Sequence, residues 1–152
     1  MSIALRLAPL ALLLAAPTTG QDFAGGNDIA ARVEAMGKAM KPGQGFAWEP
    51  VVRDGERVAA LEYWKEPGRP AVHPDQAEYA IVIAGAGTLR TGKSMEGGKQ
   101  TQPGLIEGDR IVDPLDRPLK PGDVLLIPAG VPHWFGITGD RLVLLGTKIP
   151  AK

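Results

Sequence analysis

One hundred and fifty-two residues suffice for one domain with a sizeable core and are too few for two. Seventeen basic and seventeen acidic side chains cancel, and no dense Lys/Arg run is interleaved with aromatics, so nucleic acid and acidic membrane surfaces are not expected as partners. Cysteine is absent, which excludes a disulfide framework, a thiolate nucleophile and thiolate-ligated zinc or iron–sulfur centres.

Residues 1–20 read as a leader rather than as part of the fold. A weakly basic start from Met1 to Arg6 runs into an apolar stretch from Leu7 to Ala16, and Pro17-Thr-Thr-Gly20 supplies a small-residue exit. These are the three parts of a secretory signal peptide, and the apolar run is too short to span a bilayer. Cleavage near Gln21 leaves a mature chain with no stable membrane anchor, because a lipoprotein anchor needs a cysteine at the cleavage site. The protein is therefore expected to be exported, and to be periplasmic in a Gram-negative source.

Residues 21–45 form an N-terminal extension. Asn27 or Asp28 is placed to cap a helix from Ile29 to Met40, in which Ile29, Val33, Met36 and Met40 share one face. Lys41-Pro42-Gly43 ends it. This ordinary amphipathicity predicts a helix packed outside the main core.

From Phe46 the pattern changes to short runs rich in Val, Ile, Leu and aromatics, predicted as strands near 46–53, 57–64, 78–84, 87–91, 123–128, 132–137 and 141–148. Asp54-Gly55, Pro67-Gly68, Pro121-Gly122 and Gly139-Asp140 supply the turns. Many short strands with frequent turns predict an all-β sandwich or barrel over residues 46–152. The stretch from Lys93 to Lys120 departs from the pattern. Rich in Gly and Pro, with only Ile111-Val112 as an apolar strand-like piece, it reads as a long excursion that is either a surface loop or a cover for the barrel mouth.

The chain has two histidines. His73 is followed by Glu78 and then Gly85. His133 closes a run that begins at Gly122 and contains Pro128 and Gly130. Through residues 71–92 and 122–137 the sequence resembles the two motifs of the cupin superfamily, small double-stranded β-helix barrels of the jelly-roll type. His73 takes the second histidine of the first motif, Glu78 its glutamate and Gly85 its glycine, with Gly87 completing the Gly-x-Gly that commonly follows. Gly122, Pro128, Gly130 and His133 match the second motif. Two positions depart from the pattern: Ala71 stands where the first histidine belongs, and Ile137 replaces the asparagine. The wording around both motifs is also similar to exported single-domain bacterial cupins.

The resemblance implies an all-β double-stranded β-helix, with one short N-terminal helix after the signal peptide. It also implies a metal site at His73, Glu78 and His133. Two imidazoles and a carboxylate suit a divalent transition metal (Fe, Mn, Ni or Zn) and leave positions open for a small-molecule substrate. If residues 74–77 turn between two strands, His73 and Glu78 both reach the barrel mouth. On the Glu78 strand, Ala80 and Val82 are expected to face inward, and Tyr79 and Ile81 outward.

Phe135 is expected in the pocket wall, with Trp134 pointing away. Tyr63, or its neighbour Trp64, is expected to line the pocket from another strand. Gln76 is either a substitute neutral ligand or a loop side chain. The ordinary alternative for Glu78 is an ion pair with Arg69 or Arg90. Glu62, Glu107 and Asp109 receive no role at this level.

Three functions follow. The first is a metal-dependent enzyme, dioxygenase-type in one version and isomerase or lyase in another. The second is a non-catalytic barrel that binds a small, sugar-like molecule. The third, a reservoir protein, ranks low because such cupins usually carry two barrels. A homodimer is expected from the resemblance alone.

Overall fold

A computed structural model describes residues 22–151 of the chain. The leader read at residues 1–20 lies outside the described residues, as do Gln21 and Lys152.

The helix α1 spans Gly26–Ala39. It starts earlier than the spacing suggested. Gly25 is the N-cap, and Asp28 sits three residues in, where its carboxylate accepts the Gly25 backbone N–H at 3.3 Å. Asp28 thus serves the helix start from inside the first turn. Val33, Met36 and Met40 are buried and Ile29 partly so, as the periodicity requires.

Eleven strands follow: β1 (Phe46–Asp54), β2 (Arg57–Trp64), β3 (Ala71–Val72), β4 (Gln76–Thr91), β5 (Ser94–Glu96), β6 (Lys99–Gln102), β7 (Leu105–Glu107), β8 (Arg110–Val112), β9 (Leu115–Leu119), β10 (Val124–Ile127) and β11 (His133–Pro150). The runs expected as separate strands at 78–84 and 87–91 are one strand, β4, and those at 132–137 and 141–148 are one strand, β11. Each long strand serves two parts of a curled sheet. The first half of β11 pairs with β3 and the second half of β4, and its second half pairs with β2 and the first half of β4.

The bend in the β4–β11 ladder lies between Ile137 and Leu142, opposite Gly87 and Gly85. Gly85 has φ +76°, and a Cβ there would lie 2.1 Å from the Arg141 carbonyl oxygen, so the bend admits no side chain at this position.

The stretch from Lys93 to Lys120, expected to hold one strand-like piece at most, contains β5 to β9. β5 and β8 pair with each other, β6 and β7 extend the sheet through β3, and β9 pairs with β4. Single-sequence patterning missed them because strands of three to five residues with mostly exposed side chains show no hydrophobic period.

The curled sheet has two apolar faces. The inner face packs Ala80, Val82, Leu89, Leu125, Ile127, Phe135, Leu142 and Leu144 into the barrel core. The outer face of β2 and β11 packs Leu61, Tyr63 and Val143 against Val33, Met36 and Met40 of α1. The alternation expected for β4 holds, with Ala80 and Val82 in the barrel core.

Candidate metal centre

Three strands and one turn deliver the site. His73 follows β3, and a backbone hydrogen bond from Gly130 N–H to the His73 carbonyl at 2.9 Å ties it to the turn before β11. Gly130 itself has φ +77°, which a glycine adopts without strain. That turn carries the chain into His133, whose backbone lies opposite Ala71 in the β3–β11 ladder. Glu78, near the start of β4, lies opposite Lys148 of β11 on one side and Ile127 of β10 on the other.

The donor atoms converge. His73 Nε2 is 3.6 Å and His133 Nε2 3.3 Å from the same Glu78 oxygen, Oε2, and the three ligand atoms lie within 4.8 Å of one another. Donors that share one ion at about 2.0–2.2 Å stand roughly 3–3.6 Å apart, so both distances to Glu78 Oε2 suit a shared cation. Glu78 and His133 are buried, and the two rings lie 5.6 Å apart.

Each ring is oriented from behind. His73 Nδ1 faces the Gly104 carbonyl at 3.2 Å, and His133 Nδ1 faces the Val131 carbonyl at 3.0 Å. A carbonyl can only accept, so each Nδ1 carries the proton and each Nε2 is turned to the centre. This is how metal-ligating histidines are held in the right tautomer. Gly104 lies in the turn between β6 and β7, so the Lys93–Lys120 excursion reaches the site.

The electrostatics centre on Glu78. Burial alone would raise its pKa, but in the metal-free protein a His133 ring protonated at Nε2 as well as Nδ1, and the Lys148 ammonium, both in contact with the carboxylate, outweigh burial and hold it at about 2. Lys148 Nζ donates to Glu78 Oε2, the oxygen the two histidines face. Burial, followed by the Lys148 charge, lowers the His73 pKa and favours its neutral, ligating form. A second carboxylate, Glu62 of β2, lines the same space. Burial and the nearby Glu78 charge push it up to about 7, and its Oε2 accepts the Trp64 indole N–H at 3.4 Å.

The mouth is a cavity of about 510 Å³ to which Trp64, Ala71, His73, Glu78, His133 and Phe135 all contribute. Of the pocket residues expected from sequence, Phe135 lies here, 6.0 Å from the His133 ring. Trp134 belongs to the rim, where its indole N–H donates to the Gly68 carbonyl at 2.9 Å and Arg90 stacks on it at 5.3 Å.

Tyr63 is not in the pocket. The inner-face phase of β2 is taken by Glu62 and Trp64, so Tyr63 points outward against α1, where Gly37 makes room: a Cβ there would come within 2.8 Å of the Tyr63 hydroxyl. Gln76 is the first residue of β4 and lines a neighbouring groove of about 660 Å³, away from the two histidines; Glu62, Glu78 and Lys148 border both spaces. Neither arginine weighed as a partner for Glu78 reaches it: Arg69 pairs with Asp109 and Arg90 with Asp116, while Glu78 pairs with Lys148.

Sequence reasoning missed Lys148 and Trp48 and left Glu62 unassigned. The available signal was phase. Leu142, Leu144, Gly146 and Lys148 share one face of β11, so a lysine on the core phase of a strand was marking a buried partner.

Comparison with known proteins agrees with this architecture. The family profile described as cupin matches residues 68–149. Among solved structures, a hydroquinone 1,2-dioxygenase in complex with Cd2+ and 4-hydroxybenzonitrile superposes with TM-score 0.59 at 20% identity, covering 78% of this chain and 71% of that one. The TT1209 protein from Thermus thermophilus gives 0.52 at 17% identity over 76% of this chain and 93% of its own. DMSP lyase structures give 0.51 at 17% identity over 70% of this chain and 48% of theirs. The chain spans 42% of the length of an oxalate oxidase that it also matches. The dioxygenase, TT1209 and DMSP lyase superpositions establish the fold. No curated protein sequence matches.

Proposed function

The chain belongs to the cupin family, and on that premise we propose that it is an exported metal-dependent enzyme acting on a small molecule, with chemistry of the dioxygenase type. The observation that carries this reading is the convergence of His73 Nε2, His133 Nε2 and Glu78 Oε2, with both Nδ1 atoms committed to backbone carbonyls. Two imidazoles and one carboxylate with open positions form the donor set of non-haem iron oxygenases. When bound, such an ion supplies Lewis acidity and, if it is iron, one-electron chemistry toward O2.

The chain's own residues do the rest. Gly104 and Val131 hold the imidazoles in the ligating tautomer, and Lys148 keeps Glu78 ionised at any ordinary pH. Phe135 and Trp64 exclude water from one wall of the cavity. Ala71 presents only a methyl group where the family pattern has a histidine, which leaves space beside the donors for substrate. Export rests on the leader pattern of residues 1–20.

A second reading is favoured by Glu62. A carboxyl group with a pKa near 7 in the same cavity is suited to taking up and returning a proton. That is the requirement of isomerase or lyase chemistry, in which the metal only polarises a carbonyl.

The deciding experiment is metal content of the purified protein beside His73→Ala and His133→Ala, followed by oxygen uptake of the iron-loaded protein with phenolic and carbonyl substrates. One transition metal per chain, lost in both variants, is the expected result. Stoichiometric O2 consumption selects the first reading, and turnover without it selects the second. Failure to bind iron, manganese, nickel or zinc after anaerobic reconstitution overturns both.

A further inference from the structure

The wall of the metal cavity is aromatic from rim to base. Phe46 and Trp48 of β1 stand at the mouth with 40% and 49% of their surface exposed. Phe46 lies 4.2 Å from Trp64, ring to ring, and Trp64 lies 6.4 Å from Phe135. Phe135 in turn meets the edge of His133 at 6.0 Å. The ladder therefore leads from solvent to a ligand imidazole without a break.

Trp64 is held firmly in this series. Its indole N–H is engaged by Glu62, and Gly68 lies so close to the ring that a Cβ there would stand 2.8 Å from it. Leu105 and the methyl of Ala71 add further apolar lining to the cavity.

Most polar groups of the cavity already have a partner within the protein. Arg69 pairs with Asp109, the Trp134 indole with the Gly68 carbonyl, Glu62 with Trp64, and Lys148 and both histidines surround Glu78. Gln102 and Glu107 are left at the mouth. Such a lining offers faces and edges of rings but few donors or acceptors with which to read a ring of hydroxyl groups. A sugar requires those polar contacts; a flat ring recognised by its faces does not.

We infer that the cavity takes a planar aromatic ring bearing oxygen substituents, with the ring against the Phe46–Trp64–Phe135 ladder and the oxygens toward His73, Glu78 and His133. The ring preference stands on the cavity wall alone; the orientation of the oxygens rests on the metal reading proposed above.

The test is a titration of the purified protein with catechol, with trans-cyclohexane-1,2-diol as a saturated counterpart and with glucose. Indole fluorescence and isothermal calorimetry follow binding in metal-free and Zn(II)-loaded protein, zinc being chosen because it does not oxidise catechol. Catechol is expected to bind several-fold, up to about tenfold, tighter than the saturated diol in both forms, since one aromatic contact beyond area burial is worth up to about tenfold. Zn(II) is expected to tighten catechol further.

Trp48→Ala, at an exposed position that leaves the core intact, and Trp64→Leu are each expected to lower catechol affinity several-fold while Zn(II) binding is retained. Equal binding of catechol and the diol, tighter binding of glucose, or indifference to both tryptophan substitutions overturns the inference. The two readings fail separately. A ring preference in wild-type protein that binds no metal removes the metal site and leaves the aromatic cavity; zinc bound without a ring preference does the reverse.

Discussion

Glu62 offers the sharpest check on how this site is built, because its carboxyl group is pushed from 4.5 to about 7 by burial and by the charge of Glu78. A carboxyl whose folded pKa is raised prefers to be protonated in the native state. The folded protein therefore loses stability as pH climbs from about 4.5 to about 7, and the full cost is present above that range. The gap of about 2.5 pH units corresponds to about 3 kcal/mol at most.

Glu62→Gln replaces the carboxyl with a neutral group that still accepts the Trp64 indole N–H. Measured by urea denaturation of metal-free protein, the variant should match wild type near about pH 4 and exceed it by about 1–3 kcal/mol at about pH 8. In thermal scans that is roughly 3–10 °C. A stability difference that stays flat over this range would falsify the assignment of Glu62 as a buried, charge-frustrated neighbour of Glu78. Metal loading should reduce it, since a cation beside Glu78 offsets the repulsive part of the shift and leaves the part due to burial.

Other perturbations reach different parts of the structure. Lys148→Met removes a positive charge hydrogen-bonded to a ligand oxygen, so Zn(II) affinity measured by competition with a chelator should rise at least tenfold, about 1.4 kcal/mol; unchanged or weaker binding would mean that Lys148 positions Glu78 more than it competes with the ion. Leu144→Ala opens a cavity at a fully buried position in the barrel core and should cost about 3–5 kcal/mol by denaturant titration. Gly85→Ala forces a Cβ to 2.1 Å from the Arg141 carbonyl at a positive φ; a loss of more than about 2 kcal/mol is expected, and a loss below about 1 kcal/mol would show that the β4–β11 bend is compliant.

Much of the architecture was legible locally because strands and turns write their signals in short range. The helix face at Val33, Met36 and Met40, the turn at Asp54-Gly55 and the inward phase of Ala80 and Val82 all follow from spacing alone. The ligands were legible for a different reason: His73, Glu78 and His133 fall on family motifs whose spacing encodes the barrel, even with Ala71 in place of one histidine.

Which neighbours those residues receive was settled only in three dimensions. Whether Tyr63 or Trp64 faces the pocket depends on the phase of β2 against β11, which alternation leaves open by one residue. The pairing of Lys148 with Glu78, seventy residues apart, exists only because β11 lies antiparallel to β4 with those positions opposite. The same long-range register brings Glu62 close enough to Glu78 to shift its pKa and threads Gly104 behind His73. The barrel and its three donors were readable in the chain because both rest on local periodicity and motif spacing; the charges and carbonyls that tune those donors come from contacts between distant strands, which no local pattern records.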